Sequence, residues 1–267
     1  MPRHEGVTAG KYLGFMAIAF RADRANRGAV IGRLGFYFIL LLVFSRLWAV
    51  AETHPLVRGT SASDLLWYLT LTEWVVLSLP LVHLKIEEDV RTGNLAYWLA
   101  RPISYPLMRY AEAVGILHFR LMVLGIGAFF IAWGLSGSLP SHPWGLLLAI
   151  PLVWMACLVS LLYGIVIGLT AFWIEDSTPV GWVWQKASFL LGGLILPMSL
   201  YPKWLARLAD LTPFPALLYR PATAALTDSP SAAAISAMLI LFWGAVGAGL
   251  LAFVFRRGMR IVTVGGG

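Results

Sequence analysis

Charge is the scarcest property of this sequence. Of its 267 residues only 12% are Asp, Glu, Lys or Arg, about half the ~25% of an ordinary soluble domain. With 59% hydrophobic residues and a mean hydropathy of +0.78, so few charges cannot keep the surface of a globule this size in water. A soluble one- or two-domain protein is excluded, and so is a disordered chain, which would have far less to bury. Cysteine is nearly absent: Cys157 stands alone and permits no internal disulfide. The five histidines are scattered, with no His/Cys grouping at ligand spacing, so no metal centre is expected. A phosphate-binding loop is missing too. It needs GxxxxGK[ST], so that backbone amides and a lysine hold the phosphates. The one Gly-Lys pair, Gly10-Lys11, is followed by Tyr12 and preceded by no suitable glycine. The chain is therefore expected to bind no ATP by that route and to need no cofactor of its own.

What the sequence has in abundance is long apolar runs. A spanning helix needs ~20 mostly apolar residues, and such runs occupy about 34–51, 64–84, 110–135, 145–173, 182–197 and 232–255. The fifth is short: its 16 residues rise only ~24 Å against a hydrocarbon core of ~30 Å. It contains Gly192-Gly193 and ends at Pro197. Residues 198–230, with Trp204, Leu205, Leu208, Leu211, Pro213, Phe214 and Pro215, read as one or two short helices dipping into the interface. Such irregular backbone survives there only under cover of other protein. Residues 1–32 lack the apolar core and cleavage site of a signal peptide. Leu13, Met16 and Phe20 instead repeat at helical spacing among arginines, the pattern of an amphipathic helix lying in the membrane interface or packed on another subunit.

Basic residues give the orientation. With the N-terminus inside, fourteen lie inside: Arg3, Lys11, Arg21, Arg24, Arg27 and Arg33, then Lys85, Arg91, Arg101 and Arg109, Lys186, and Arg256, Arg257 and Arg260. Only Arg58, Lys203, Arg207 and Arg220 lie outside, while Arg46 and Arg120 fall within spans. The expected architecture is an all-α polytopic membrane protein with six spans and both termini cytoplasmic, one transmembrane unit over residues 1–267. It comprises an interfacial helix (1–32), a bundle (33–255) and a tail (256–267); the bundle includes a cytoplasmic loop at 85–109 and an extracellular re-entrant segment at 198–230. The net charge of +7 is absorbed by topology, so no nucleic-acid partner is required. Trp67, Tyr68, Trp144 and Trp204 fall at predicted boundaries and read as interfacial aromatics. Gly164-x-x-x-Gly168 permits close helix approach, read as packing within the chain rather than between chains.

The loop after the second span is the most informative stretch. Glu87, Glu88 and Asp89 sit together close to the inner face, followed by Arg91 and Gly93. Asn94 or Thr92 is positioned to cap a short helix over Leu95–Ala100 that Arg101-Pro102 would end. Its apolar side carries Leu95, Trp98 and Leu99, which suits either a groove in a cytoplasmic partner or a simple interfacial anchor.

The run Glu87-x(5)-Gly93-x-Leu95-xxx-Leu99-x-Arg101-Pro102-Ile103-Ser104-x-Pro106 resembles the first cytoplasmic loop of ABC-2 type permeases, the membrane subunits of bacterial ABC exporters. A second stretch is similar to that family's region around the fifth span. It runs from Phe172-Trp173-Ile174-Glu175-Asp176 through Gly192-Gly193, Pro197, Tyr201-Pro202-Lys203-Trp204-Leu205 and Pro213-Phe214 to Pro221. The resemblance covers essentially the whole chain and implies several things. Two permeases, identical or paralogous, would pair in the bacterial inner membrane above two ATP-binding subunits, which carry the ATP and Mg. The Glu87–Pro102 stretch would be the coupling helix. Residues from Gly192 to Phe214 would form a re-entrant outer gate, and the pathway for a hydrophobic or amphipathic cargo would run between the permeases.

Ionisable groups within spans are costly, which makes Arg46, Glu73 and Arg120 candidates for the pathway or for structural pairs, Glu73 with Arg46 and Arg120 with Glu112. Glu73 also admits a second reading, a proton-coupled secondary transporter, though such a protein would show matching broken helices in its two halves. A third is a membrane subunit with no transport of its own. Gly134-Leu135-Ser136-Gly137 has the form of an intramembrane serine protease motif. However, only His142 follows Ser136, in the same short loop, so Ser136 reads as a turn residue.

Overall fold

Five of the six apolar runs become helices that are, by length and composition, able to cross a membrane. In the computed structural model, which describes residues 3–51, 61–227 and 229–265, helix is the only regular structure among the described residues. The chain begins with α1 (Arg3–Ala25) and α2 (Arg27–Ala51). Next come α3 (Ala62–Ser78) and α4 (Val82–Arg91), one long helix interrupted at Leu79-Pro80-Leu81. Then follow α5 (Asn94–Leu99), α6 (Tyr105–Ser136), α7 (Gly145–Leu169) and α8 (Ala171–Ile174). The remainder is α9 (Thr178–Leu191), a 3-10 turn at Met198–Leu200, α10 (Lys203–Asp210), α11 (Phe214–Leu217), α12 (Tyr219–Thr227) and α13 (Pro230–Gly265). Arg58, one of the outside basic residues in the topology, lies outside the described residues.

The fifth run behaves differently. α9 has only 14 residues, about 21 Å of helix. It stops because Gly193 turns left-handed, at φ +67, a conformation that suits glycine. The next turn is held by α3: Tyr68 donates its hydroxyl to Gly193 O, and Thr72 Oγ1 donates to Leu194 O at 2.7 Å. Irregular backbone within the bundle thus finds its partners on a neighbouring helix. The same bonds correct two expectations, since Tyr68 and Trp67 are 1% exposed and are core residues, Trp67 donating to Ser138 O at 3.2 Å. Trp144 and Trp204 are exposed, as interfacial residues would be.

Close helix contacts fall where side chains are small. A Cβ on Gly164 would stand 2.9 Å from Val82, and one on Gly168 2.8 Å from Ile86. The Gly164-x-x-x-Gly168 face of α7 therefore receives α4, a contact inside the chain. A Cβ on Gly115 of α6 would strike the backbone of Met16, which puts α1 flush against α6. The half-buried stripe of α1 is Tyr12, Phe15, Met16, Ala19 and Phe20; Leu13, expected in it, is exposed. Phe15 meets Trp98 edge-on, Phe20 meets Phe119, and the Tyr12 hydroxyl accepts the Ser104 N–H at 2.9 Å.

These contacts also fix chain direction. Tyr12 of α1 and Gly258 of α13, the latter against Phe172, both lie at the end of the bundle that carries α5. α7 and α13 run side by side toward that end, Val159 facing Gly244 and Tyr163 facing Gly247, with Phe172 of α8 facing Gly258 beyond them. The chain between them must therefore climb back, and α9 with the turns after it makes the climb. The largest buried cluster sits at the α5 end and joins Ile86, Leu95, Tyr105, Met108, Leu117 and Leu161.

Candidate functional site

The three adjacent acids of α4 face three different surroundings, as one residue in a helix turns ~100° from the next. Glu87, buried, points to the start of α9: its Oε2 accepts the Ser177 N–H at 2.9 Å, the Ser177 hydroxyl at 2.8 Å and the Thr178 hydroxyl at 3.4 Å. A carboxylate at a helix N-terminus meets unpaired N–H groups and the positive end of the helix dipole. Glu88 is exposed and pairs with Lys85 at 2.7 Å, a surface bridge of small energetic weight. Asp89 is 2% exposed and points to α6. Its Oδ2 accepts the Tyr105 hydroxyl at 2.6 Å and Arg109 Nε at 2.9 Å, and is also met by Arg109 Nη2.

Arg109 is the hub of this end. Its second Nη reaches Glu112, and its guanidinium stands 5.6 Å from the ring centres of both Trp98 and Tyr105. A planar cation that serves two carboxylates and two aromatic faces ties α4, α5 and α6 together. In the sequence Arg109 stands out only as a topological charge, and Tyr105, Ser177 and Thr178 do not stand out as site residues. The spacing Arg109–Glu112 was the one visible signal for the first pair. For Ser177 it was the position immediately after the Phe172–Asp176 motif.

The α5 helix forms where expected and ends before Arg101-Pro102, but its start differs. Its N-cap is Gly93 at φ +74, with no side-chain cap; Thr92 donates instead to Glu88 O at 2.7 Å, closing α4. Gly93 is needed for that left-handed turn. Leu95 is buried, and Trp98 and Leu99 pack on the central cluster. The apolar side is thus occupied by the chain itself. The outward face carries Tyr97, 55% exposed, with the Arg101 guanidinium 4.2 Å above its ring and 5.1 Å from that of Trp98. Arg91 and Pro102 are exposed beside it, Arg91 standing 3.6 Å from Glu87.

The strand of chain leading into α9 is itself strained. Glu175 adopts φ 58, unusual for a side chain with a Cβ. The turn delivers Asp176, which accepts the Thr178 N–H at 2.9 Å, and Ser177 to Glu87. The Thr178 hydrogen bond holds the Asp176 carboxyl below its ordinary range. At the other end of α9, Pro197 opens the 3-10 turn, Tyr201 donates to Leu190 O at 2.7 Å, and Pro202 precedes α10. Trp204, Leu208 and Leu211 of this segment are exposed, whereas Phe214 is buried edge-on to Trp184 at 4.7 Å.

A family model described as ABC-2 family transporter protein matches residues 31–266. The chain belongs to that family. Neither the curated proteins nor the solved structures hold a match to it. Membership makes the chain a multi-pass membrane protein with a permease role, of a kind that works with ATP-binding subunits.

In this ABC-2 chain both expected intramembrane pairs are replaced. Arg120 binds Asp23 of α1 in a two-point bridge at 2.8 and 3.0 Å and reaches Leu79 O at 3.4 Å, while Glu112 belongs to Arg109. Arg46 is exposed and Glu73 buried, and no ion pair joins them. The register explains why. Tyr37 of α2 donates to Thr70 O on α3, so Arg46, nine residues further along α2, lies about 14 Å beyond that level. Glu73 lies on the other side of it. Ser136, expected in a turn, is instead the last residue of α6; it donates to Ser138 O at 2.7 Å, and the turn follows at Gly137. No group of three or more His, Cys, Asp or Glu side chains placed to hold a metal occurs among the described residues.

Proposed function

We propose that this chain is the membrane permease subunit of an ATP-driven exporter in a bacterial inner membrane. Two such subunits, identical or paralogous, pair over two ATP-binding subunits, and the chain itself hydrolyses nothing. The reading takes six passages with both termini cytoplasmic. Five long helices plus the climb through α9 support that count, and the placement of the basic residues supports the side. α1 serves as an interfacial elbow, with Arg21 and Arg24 exposed on the side away from α6.

One observation carries the mechanism. The α5 helix is built into the chain through its apolar side and presents Tyr97 and Arg101 outward, and it rests on a helix whose two buried acids grip α6 and α9. Closure of ATP-bound partners against the outward face of α5 moves α4. Asp89 passes that movement to α6 and Glu87 passes it to α9, and α9 leads directly into the Gly192–Phe214 segment proposed as the outer gate. The cargo path runs between the permeases.

The test is co-purification from native membranes in mild detergent, with bound proteins identified by mass spectrometry and ATP hydrolysis measured after reconstitution. An ATP-binding subunit in near-equal amount with vanadate-sensitive hydrolysis is expected, and the same preparation shows whether a second permease accompanies it. A chain that purifies alone and silent overturns the reading. Glu73, buried with no hydrogen bond or ion pair among the described residues, then makes a proton-coupled transporter the reading to test, by Glu73→Gln.

A further inference from the structure

A cavity of about 250 Å³ lies between the Leu79–Leu81 interruption, α7 and α9, closed from one side by Phe214 and Leu217. Most of its wall is apolar, with Val75, Leu161, Ile167, Trp182, Trp184 and Phe189 among the lining residues, and no Asp, Glu, Lys or Arg lines it. Five polar side chains interrupt that wall: His83, Ser160, Thr178, Gln185 and Ser188. Ser160 donates to Ala156 O, and Thr178 to Glu87. His83, Gln185 and Ser188 make no side-chain hydrogen bond among the described residues. An apolar pocket with a few convergent, unpaired polar groups is the usual form of a small-molecule site.

The position is as informative as the lining. One wall is α4 and another is α9, the two helices joined by Glu87 and Ser177, and they touch where Gly181 leaves room for the His83 ring. A second cavity, of about 460 Å³, is larger but lacks these features. Its lining is almost wholly apolar and its Trp74 indole already donates to Leu121 O; exposure does not separate the two, since Met122, Ile126 and Phe130 are exposed around the second cavity as Leu81, Trp182 and Gln185 are around the first. A wall with no free polar group suits lipid tails.

We propose that the cavity between α4, α7 and α9 is a cargo site for a neutral amphipathic molecule, with a short alkyl or single-ring body and an uncharged hydrogen-bonding head. The cargo assignment rests on the exporter reading above; the binding itself does not. A charged head would find no Asp, Glu, Lys or Arg in the lining to pair with. The volume lies just under the ~300–1,000 Å³ range of drug-sized pockets, so the site takes a small molecule or one end of a longer one. The Gln185 amide, exposed on the open side, and the half-buried Ser188 hydroxyl are the groups that would meet the head, and Trp182, also exposed, and the half-buried Trp184 would flank the body.

The experiment uses the whole chain in lipid nanodiscs, without any ATP-binding subunit. The probe is azioctanol, an alcohol that inserts covalently on irradiation, and adducts are mapped by mass spectrometry. Saturable labelling in the Trp182–Phe189 stretch is expected, protected by excess octanol but not by octyltrimethylammonium. Ser188→Phe, which fills the cavity, should lower labelling there about tenfold, and Gln185→Leu roughly fivefold. Ile126→Phe, in the second cavity, should leave it unchanged. Should Ser188→Phe fail to fold, Gln185→Leu decides. Non-saturable labelling, equal protection by the cationic octyl compound, or wild-type labelling in a folded Ser188→Phe or in Gln185→Leu overturns the proposal. Saturable binding by a chain that co-purifies from native membranes with no ATP-binding subunit would remove only the cargo assignment. An ATPase-coupled chain that shows no saturable binding would remove the site alone.

Discussion

The carboxylate of Glu87 accepts both the backbone N–H and the hydroxyl of Ser177, 90 residues further along the chain, at 2.9 and 2.8 Å. Two helices that share no continuous backbone are therefore joined at a buried point by one side chain. Glu87→Ala leaves the buried Ser177 N–H without an acceptor, a cost of about 1–3 kcal/mol. The expected result is a lower unfolding temperature in detergent. Glu87→Gln keeps one acceptor oxygen and should lose less. If α9 follows α4 through this contact, Glu87→Gln should also weaken the link between ATP hydrolysis and transport in reconstituted vesicles. Full coupling in that variant would show that α9 moves by another route.

Asp89 and Arg109 form the deeper tie. Truncating one member of a buried ion pair strands the other charge and costs about 3–5 kcal/mol. Arg109 would keep Glu112 when Asp89 is lost, so Asp89→Ala should be the milder of the two single changes. Arg109→Leu strands both carboxylates. In a double-mutant cycle with Asp89→Ala the combined variant should be more stable than the sum of the singles predicts, by about 1–3 kcal/mol. Simple additivity would mean the pair is not coupled.

The two faces of α5 should separate folding from coupling. Leu95→Ala removes a buried side chain and should destabilise by about 2–5 kcal/mol. Tyr97→Ala and Arg101→Ala touch an exposed stacked pair and should stay within about 1 kcal/mol of the parent. The same two changes should reduce partner-stimulated ATP turnover, and so should the Glu88→Ala, Arg101→Ala double variant, with membrane insertion intact. Unchanged turnover in all of them would remove α5 as the docking element.

What was legible beforehand was local. The spacing of Leu95, Trp98 and Leu99 marks the apolar side of α5 and Arg101-Pro102 its end, while the shortness of the fifth run is visible although its end, placed at Pro197, falls at Leu191. These are signals carried by neighbouring residues. The partners of the charges were not legible, because they depend on how helices distant in sequence slide past one another. Arg120 chose Asp23 over Glu112 only because α1 lies flush on Gly115, and Arg46 missed Glu73 because Tyr37 sets the register of α2 on α3. Trp67 and Tyr68 sat at a predicted boundary, yet their indole and hydroxyl found carbonyl partners inside, which let them be buried. Likewise Leu95–Leu99 looked equally suited to a partner's groove or to an interface, since periodicity reports that a face is apolar and not what covers it.

The junction of α1 with α6 gives the last prediction. Asp23 and Arg120 are each nearly buried, with side-chain exposures of 12% and 11%, and they form the charged link that holds α1 beside the Leu79 carbonyl. Gly115, about one helical turn and a half before Arg120, is the only residue type that lets the Met16 backbone approach so closely. Gly115→Val should therefore force α1 away from α6 even though the new side chain is apolar and suited to a membrane helix. Asp23→Asn should weaken the same contact electrostatically while leaving its shape intact. Proteolysis or cysteine accessibility along Lys11–Arg24 reads the docking of α1 directly. Both variants should raise accessibility there, Gly115→Val more than Asp23→Asn, while the α4–α9 contact at Ser177 stays protected. A Gly115→Val chain with α1 still shielded would mean the bundle yields by shifting α6 instead, and the loss would then appear at Trp74, whose indole packs against Gly125 and donates to Leu121 O.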